Sequence, residues 1–370
     1  MIEIRPAADR ASVRSFIEFP YRKYRGHPHW VPPLRVTERA QIDREKNPFY
    51  RTADMELFTA WDGGRMVGRI AAIDDHAHNR THGDNVAMFG FFEADSAEAT
   101  RALMERVERF AAGRGRTAVR GPMNPSLNHS AGLQIDAFDT DPFLMMPCNP
   151  PEYADYIEAA GYAKVKDLYS WLLDPRDAPT DRLTPLVERL KQRYQVVVRP
   201  VDMRNLEEEA ERIREVYASA WKDNWGFVPP SREEFWHIVQ DLRPIIDPEG
   251  ALVAEVGGRA VGCAIAAPDI NEVLRPAGGR LFPLGLPRIL LRRFIVTRWR
   301  IVIVGVISEY RNTGVLPLLM GGLMANAQGR RISVAECSWT LEDNTAVNLA
   351  LSQGGATHYK TYRLYQKALA

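Results

Sequence analysis

Residues 301–316 read IVIVGVISEYRNTGVL. An apolar run rich in β-branched residues leads into a polar turn, Arg311-Asn-Thr-Gly314, and then into a second apolar run, VLPLLMGGLMA. The first run has the composition of a buried strand. The second opens a helix, with Pro317 in a first turn where its missing N–H costs nothing. A helix start carries unpaired N–H groups and partial positive charge, so it attracts phosphate. Gly314 allows close approach or a positive φ, and Arg311 adds a charge-assisted hydrogen bond. On spacing alone an ordinary strand-to-helix turn explains Arg-x-x-Gly better. The first half of the chain supplies the contrast. A matching strand, VAMFGFF at 86–92, runs into Glu93-Ala-Asp-Ser-Ala, whose carboxylates repel phosphate. Ligand is therefore expected in the second half.

The two halves repeat one another. Gly63-Gly-Arg-Met-Val-Gly68 matches Gly257-Gly-Arg-Ala-Val-Gly262, each between apolar strands, as in a hairpin. Trp30-Val-Pro-Pro matches Phe227-Val-Pro-Pro, and Gly161 matches Gly355 at the spacing that separates the two Gly-Gly turns. A tyrosine-bearing strand follows each of the last pair. The order of elements predicts a mixed α/β fold of the α+β type, in two tandem domains. Residues 1–175 form the first, 176–195 a linker with a helix at PLVERLKQRY, and 196–370 the second, since DPRDAPTDRLTP reads as a junction.

The chain has 370 residues, enough for two cores, and a formal net charge of +1. That balance argues against a nucleic-acid footprint. Three cysteines without metal spacing suit a reducing compartment. The N-terminal MIEIRPAADRASV reads as strand then polar helix rather than as a signal peptide, and no apolar run is long enough to span a bilayer. A cytoplasmic protein is expected.

In the strand ISVAECSWT, alternation puts Val334, Glu336 and Ser338 on one face. A carboxylate in such a strand is costly unless paired or used. A general base and a salt-bridge partner for an arginine are equally open readings. Asp343 or Asn344 can cap the helix that follows. In the last strand the spacing puts Tyr359 and Tyr365 on the face opposite Tyr362; any of them that faces a cleft can donate a proton or hold substrate. His76, His78 and His82 lie in a polar segment without a fixed third ligand, and a solvated loop is the reading preferred over a metal site, as for His27 and His29. His129 sits among turn residues and marks a weak polar candidate. No metal is expected.

Residues 270–300 have no counterpart in the first half and form an insertion. From 273 to 308 there are seven arginines (275, 280, 288, 292, 293, 298 and 300), no acidic residue, and interleaved Leu, Ile and Phe. Plain packing over the sheet, a wall for an acyl channel, and peripheral contact with the inner membrane face through 281–300 are the three readings.

With these residues in place, the second half resembles the GNAT superfamily of acetyl-CoA-dependent N-acetyltransferases, and the whole chain resembles a tandem pair of such folds. The resemblance implies that the turn holds the CoA pyrophosphate through Arg311 and Gly314, with Thr313 and Val315 beside them. It implies that the strand near Gly305 and Val306 offers N–H groups to the thioester oxygen. The family's Asn-to-Gly helix motif fits Asn344 and Gly355. Two positions depart from the pattern: Leu316 replaces a small residue, and Leu351 stands where a general-acid tyrosine is usual. Gly279-Arg-Leu-Phe-Pro283, Glu336-x-Ser-Trp339, Glu342-Asp-Asn344 and Tyr359-Lys-Thr-Tyr-Arg363 are similar to a bacterial tandem-GNAT group with acyl-CoA-dependent ceramide synthases among its relatives.

The implied function is N-acyl transfer from acetyl-CoA or a longer acyl-CoA to an amine, with Glu336, Tyr359 and Tyr362 as the acid–base candidates. The arginine-rich insertion favours a long acyl chain or a lipid amine. A non-catalytic acyl-CoA or lipid sensor is the alternative. A tRNA-dependent aminoacyl transferase is disfavoured by the near-neutral charge.

Overall fold

The fold is seen in a computed structural model, which describes residues 1–177, 193–311 and 313–369. The helix expected at 185–194 lies almost wholly outside the described residues. Two compact units emerge. The first holds Met1–Leu168, Ala277–Leu281 and Lys360–Ala370; the second holds Tyr169–Pro276 and Phe282–Tyr359. The final strand, Thr357–Ala368, thus gives most of its length to the first unit.

In the first unit β1 (Glu3–Pro6), β2 (Ala53–Asp62), β3 (Arg65–Asp75) and β4 (Val86–Ala94) pair antiparallel in sequence order. Then β4 pairs parallel with β5 (Ala118–Gly121). Residues 365–368 of the final strand close the far side of β5. The helices α1 (Arg10–Lys23) and α2 (Ala97–Ala112) pack on this sheet, α2 through Ala99, Leu103, Met104, Val107, Phe110 and Ala111. That spacing gives a helix one apolar stripe.

In the second unit β6 (Val197–Pro200), β7 (Ala251–Val256), β8 (Arg259–Pro268) and β9 (Arg298–Val306) pair antiparallel in sequence order, and β10 (Val334–Leu341) joins β9 in parallel. The helices α3 (Leu206–Trp221), α4 (Val315–Gly329) and α5 (Thr345–Gln353) complete the repeat. The two hairpins are the same device. Gly63 and Gly64 have φ of +51° and +85°, and Gly257 and Gly258 have +57° and +81°, the left-handed pair a two-residue hairpin requires. The β-bulges beside them fall at Ala60/Trp61 and Ala254/Glu255, at the spacing of the Gly-Gly turns.

The first unit's turn is built differently from the sequence expectation. β4 runs on to Ala94, so Glu93 lies in the strand rather than in the turn. It is buried and accepts hydrogen bonds from Tyr24 (2.6 Å) and Tyr153 (2.8 Å). Asp95 pairs with Lys23, and Ser96 caps α2. Burial raises the Glu93 pKa, against the opposing field of Arg69. The fold therefore holds a proton that the unfolded chain releases above the ordinary value near 4.5. This contribution to stability is full below that value and is lost as pH rises through the raised folded value. The expected result is a wild-type thermal midpoint that falls across this window and a Glu93→Gln midpoint that does not; parallel melting curves from pH 5 to 8 would remove the effect.

The histidine segment also differs from expectation. His76–His82 is a short helix capped by Asp75, and His78 is buried with Nε2 3.0 Å from Asp84. Its burial lowers its pKa to about 4. Among the described residues no group of three or more His, Cys, Asp or Glu could hold a metal ion, and no helix is long and apolar enough to cross a membrane.

Candidate active site

The parallel pairing of β9 with β10 runs from Arg298↔Val334 to Ile301↔Cys337 and stops, although the strands continue to Val306 and Leu341. Past that point Val302, Ile303, Val304, Trp339 and Thr340 are partly open to solvent. A parallel pair whose strands part leaves backbone N–H and C=O groups facing a gap, and such groups seek a partner. The first unit shows the closed version. Pairing of β4 with β5 runs only from Val86↔Ala118 to Met88↔Arg120. There the chain itself fills the space beyond: a Cβ at Gly90 would lie 1.6 Å from the Met123 carbonyl oxygen, and the Phe91 N–H donates to Asn124 at 2.5 Å. All nine residues of β4 are buried.

On β10, Glu336 is 0% exposed. Parallel register sets it opposite Arg300 of β9, also buried. Ser338 bridges them. Its hydroxyl accepts from Arg300 Nε at 2.9 Å and donates to Glu336 Oε2 at 2.7 Å. Arg300 Nη2 also donates to the Ser338 carbonyl at 3.3 Å, and Arg300 Nε lies 3.8 Å from Glu336 Oε2. Oε1 of the same carboxylate accepts from the Tyr359 hydroxyl at 2.5 Å. Tyr359 is half-buried. The result is a chain of contacts, Arg300–Ser338–Glu336–Tyr359, with a cation at its buried end and a phenol at its outer end.

The turn after β9 has the expected form. Gly314 is at φ +81° and opens α4, a 15-residue helix with no acidic residue in its first turn and no side-chain cap. Arg311 is exposed and donates to the Ala220 carbonyl at 3.0 Å. The Thr313 hydroxyl donates to the Tyr310 carbonyl within the turn. Val315 is buried in the core, and Leu316 packs against it. Gly305 is required by α3, because a Cβ there would sit 2.2 Å from the Trp221 ring. Val306, next to it, pairs with Gly262 and is buried.

No protein-family model matches the chain. Protein YghO of Escherichia coli (strain K12) is 32% identical over 375 residues, covering 99% of this chain and 95% of the relative. A protein named bacterial ceramide synthase, from Caulobacter vibrioides (strain NA1000 / CB15N), is 32% identical over 379 residues, covering 100% and 98%. Among solved structures, a tandem GNAT protein from the clavulanic acid biosynthesis pathway superposes with a TM-score of 0.60 at 15% identity, over 100% of this chain and 98% of that one. The chain belongs to the family of these two relatives, and it has the fold of a tandem GNAT protein. Its fold is the mixed α/β pair expected from the repeat.

Within this GNAT frame the candidate residues fall into groups. Gly305, Val306, Arg311, Thr313, Gly314 and Val315 line the end of β9 and the start of α4. Glu336 and Tyr359 meet directly. Tyr362 does not join them: it lies in the first unit, fully buried, where a Cβ at Gly132 would come 2.7 Å from its own Cβ. Asn344 caps α5, its side chain accepting from the Val347 N–H at 3.4 Å. Ser338 and Arg300 are the members that sequence reasoning missed. Alternation had already put Ser338 on the face of Glu336. Arg300 was grouped with the cationic insertion, but it is a strand residue, as is Arg298, whose guanidinium pairs with Asp269 at 2.6 Å.

Proposed function

We propose that the second unit transfers an acyl group from an acyl-CoA to an amine. The observation that carries this reading is the buried Glu336 carboxylate, bonded to the half-buried Tyr359 beside the point where β9 and β10 part. The residues suit acyl-CoA: the gap is lined by strand backbone, and the helix start after Gly314 has no acidic residue in its first turn and no side-chain cap on its N–H groups. Arg311 and the first turn of α4 would hold the diphosphate. Backbone N–H groups near Gly305 and Val306 would hold the developing oxyanion.

Because Glu336 has no exposed surface, it acts through Tyr359. The amine nitrogen attacks the thioester carbonyl carbon and the C–S bond breaks. As the nitrogen gives up its proton to the Tyr359 oxygen, the phenol passes its own proton to Glu336 Oε1. The thiolate leaves without a dedicated acid, since Leu351 occupies the usual acid position. A thiol of pKa about 8.5 is a fair leaving group and takes its proton from water. The name of the Caulobacter relative supports a long-chain, sphingoid-type amine as acceptor, and the apolar insertion supports a long acyl chain.

The test is thiol release from acyl-CoAs of graded chain length with a panel of amines that includes sphingoid bases. Turnover is expected to favour long chains and lipid amines. Arg311→Ala is expected to weaken acyl-CoA binding about tenfold to a hundredfold, the worth of one hydrogen bond to a charged group. Tight binding by calorimetry without turnover for any amine would mark a sensor instead, and unchanged affinity in Arg311→Ala would remove the diphosphate assignment.

A further inference from the structure

The insertion does not bury its apolar side chains. Phe282 is 66% exposed, Leu284 55%, Leu290 66%, Leu291 52% and Phe294 73%. Among the described residues half of the exposed large apolar side chains thus fall within 282–294, whereas single exposed hydrophobes are ordinary and clusters are not. The segment is nonetheless held in place. Gly285, Ile289 and Val296 are buried, Arg288 Nε donates to the Val273 carbonyl, and Arg292 Nε to the Ile245 carbonyl. Short helices at Leu286–Leu290 and Arg292–Ile295 present the apolar side chains outward.

Charge identifies what covers them. From Val273 to Ser308 the sequence contains no Asp or Glu. Among the described residues Arg288, Arg292 and Arg293 have no carboxylate partner, and the exposed Arg293 lies over the Phe294 ring at 4.7 Å. A second copy of the same face would set these arginines against one another, and like charges in apposition disfavour that pairing. An anionic partner with an apolar interior satisfies both halves of the patch. Arginine meets phosphate, and Phe and Leu enter the boundary between headgroups and acyl chains.

We infer that residues 282–295 dock this protein on an anionic lipid surface. The inference rests on the exposed patch and not on the acyl-transfer reading, so it is tested by binding rather than by turnover. Full-length protein is sedimented with vesicles of phosphatidylcholine alone and of phosphatidylcholine mixed with phosphatidylglycerol. Binding is expected to be at least about tenfold stronger to the anionic vesicles and to weaken with salt. Arg293→Gln is expected to lower it about fivefold, the share of one arginine near such a surface. The double variant F282S/F294S is expected to lower it more than about tenfold while its thermal midpoint stays at the wild-type value, because both rings are exposed. Equal binding to neutral vesicles, or none to either, overturns the proposal. So does a concentration-dependent dimer, seen by sedimentation velocity, that F282S/F294S abolishes.

Discussion

Glu336→Gln is expected to lower kcat for acyl transfer by about 10²–10⁴-fold, the range for loss of a positioned base, with acyl-CoA affinity unchanged. Glutamine keeps the shape of the side chain; its one carbonyl oxygen can still accept from Tyr359 while its NH2 donates to the Ser338 oxygen, so the local packing survives. What it cannot do is take a proton. Tyr359→Phe breaks the same path at its outer end. The carboxylate stays, but the group that reaches the amine is gone. Two members of one relay are not additive, so the double variant should be no slower than the worse single variant. Stopped-flow or steady-state thiol release with a saturating amine decides the matter. If Glu336→Gln keeps its kcat, the carboxylate is only the buried partner of Arg300, and the salt-bridge reading of this residue prevails.

Both readings were open from the sequence, and the structure sets Glu336 between Ser338 and Arg300 on one side and Tyr359 on the other. Strand, turn and helix start at 301–316 were legible because each has a local signature: a β-branched run, a glycine suited to positive φ, and a first-turn proline opening an apolar run. The Gly-Gly hairpins were legible for the same reason. Glu93 was misplaced because strand ends carry no local mark; two buried tyrosines draw the strand out past the expected turn. Arg300 was misjudged because its role depends on parallel register with Glu336, a pairing between residues 36 apart in sequence. Tyr362 was out of reach for a related reason. Parity along a strand tells which face a side chain takes, but not which unit that part of the strand completes. The exposed insertion was readable as cationic and apolar, whereas exposure itself depends on what the neighbouring chain leaves uncovered.

Arg300→Met carries the largest expected effect on stability, a loss of about 3–5 kcal/mol in urea unfolding. Arg300 is buried near the start of β9 and reaches Glu336 through Ser338. Its removal leaves a carboxylate with no surface exposure and only two hydroxyl donors. The measure of coupling is a double-mutant cycle. If the two charges answer one another, Arg300→Met with Glu336→Gln together should recover about 0.5–3 kcal/mol relative to the sum of the single changes. Additive losses would mean that the two charges do not answer one another and that other contacts of Arg300, those to Ser338 included, hold it. The cycle also bears on why the pair exists. Replacing a buried ion pair with uncharged groups of similar volume is often neutral or stabilising. A double variant that folds as well as the wild type and transfers no acyl group would place the value of the pair in the chemistry: Arg300 then holds Glu336 where Tyr359 can reach it, and stability alone gives no reason to keep either charge.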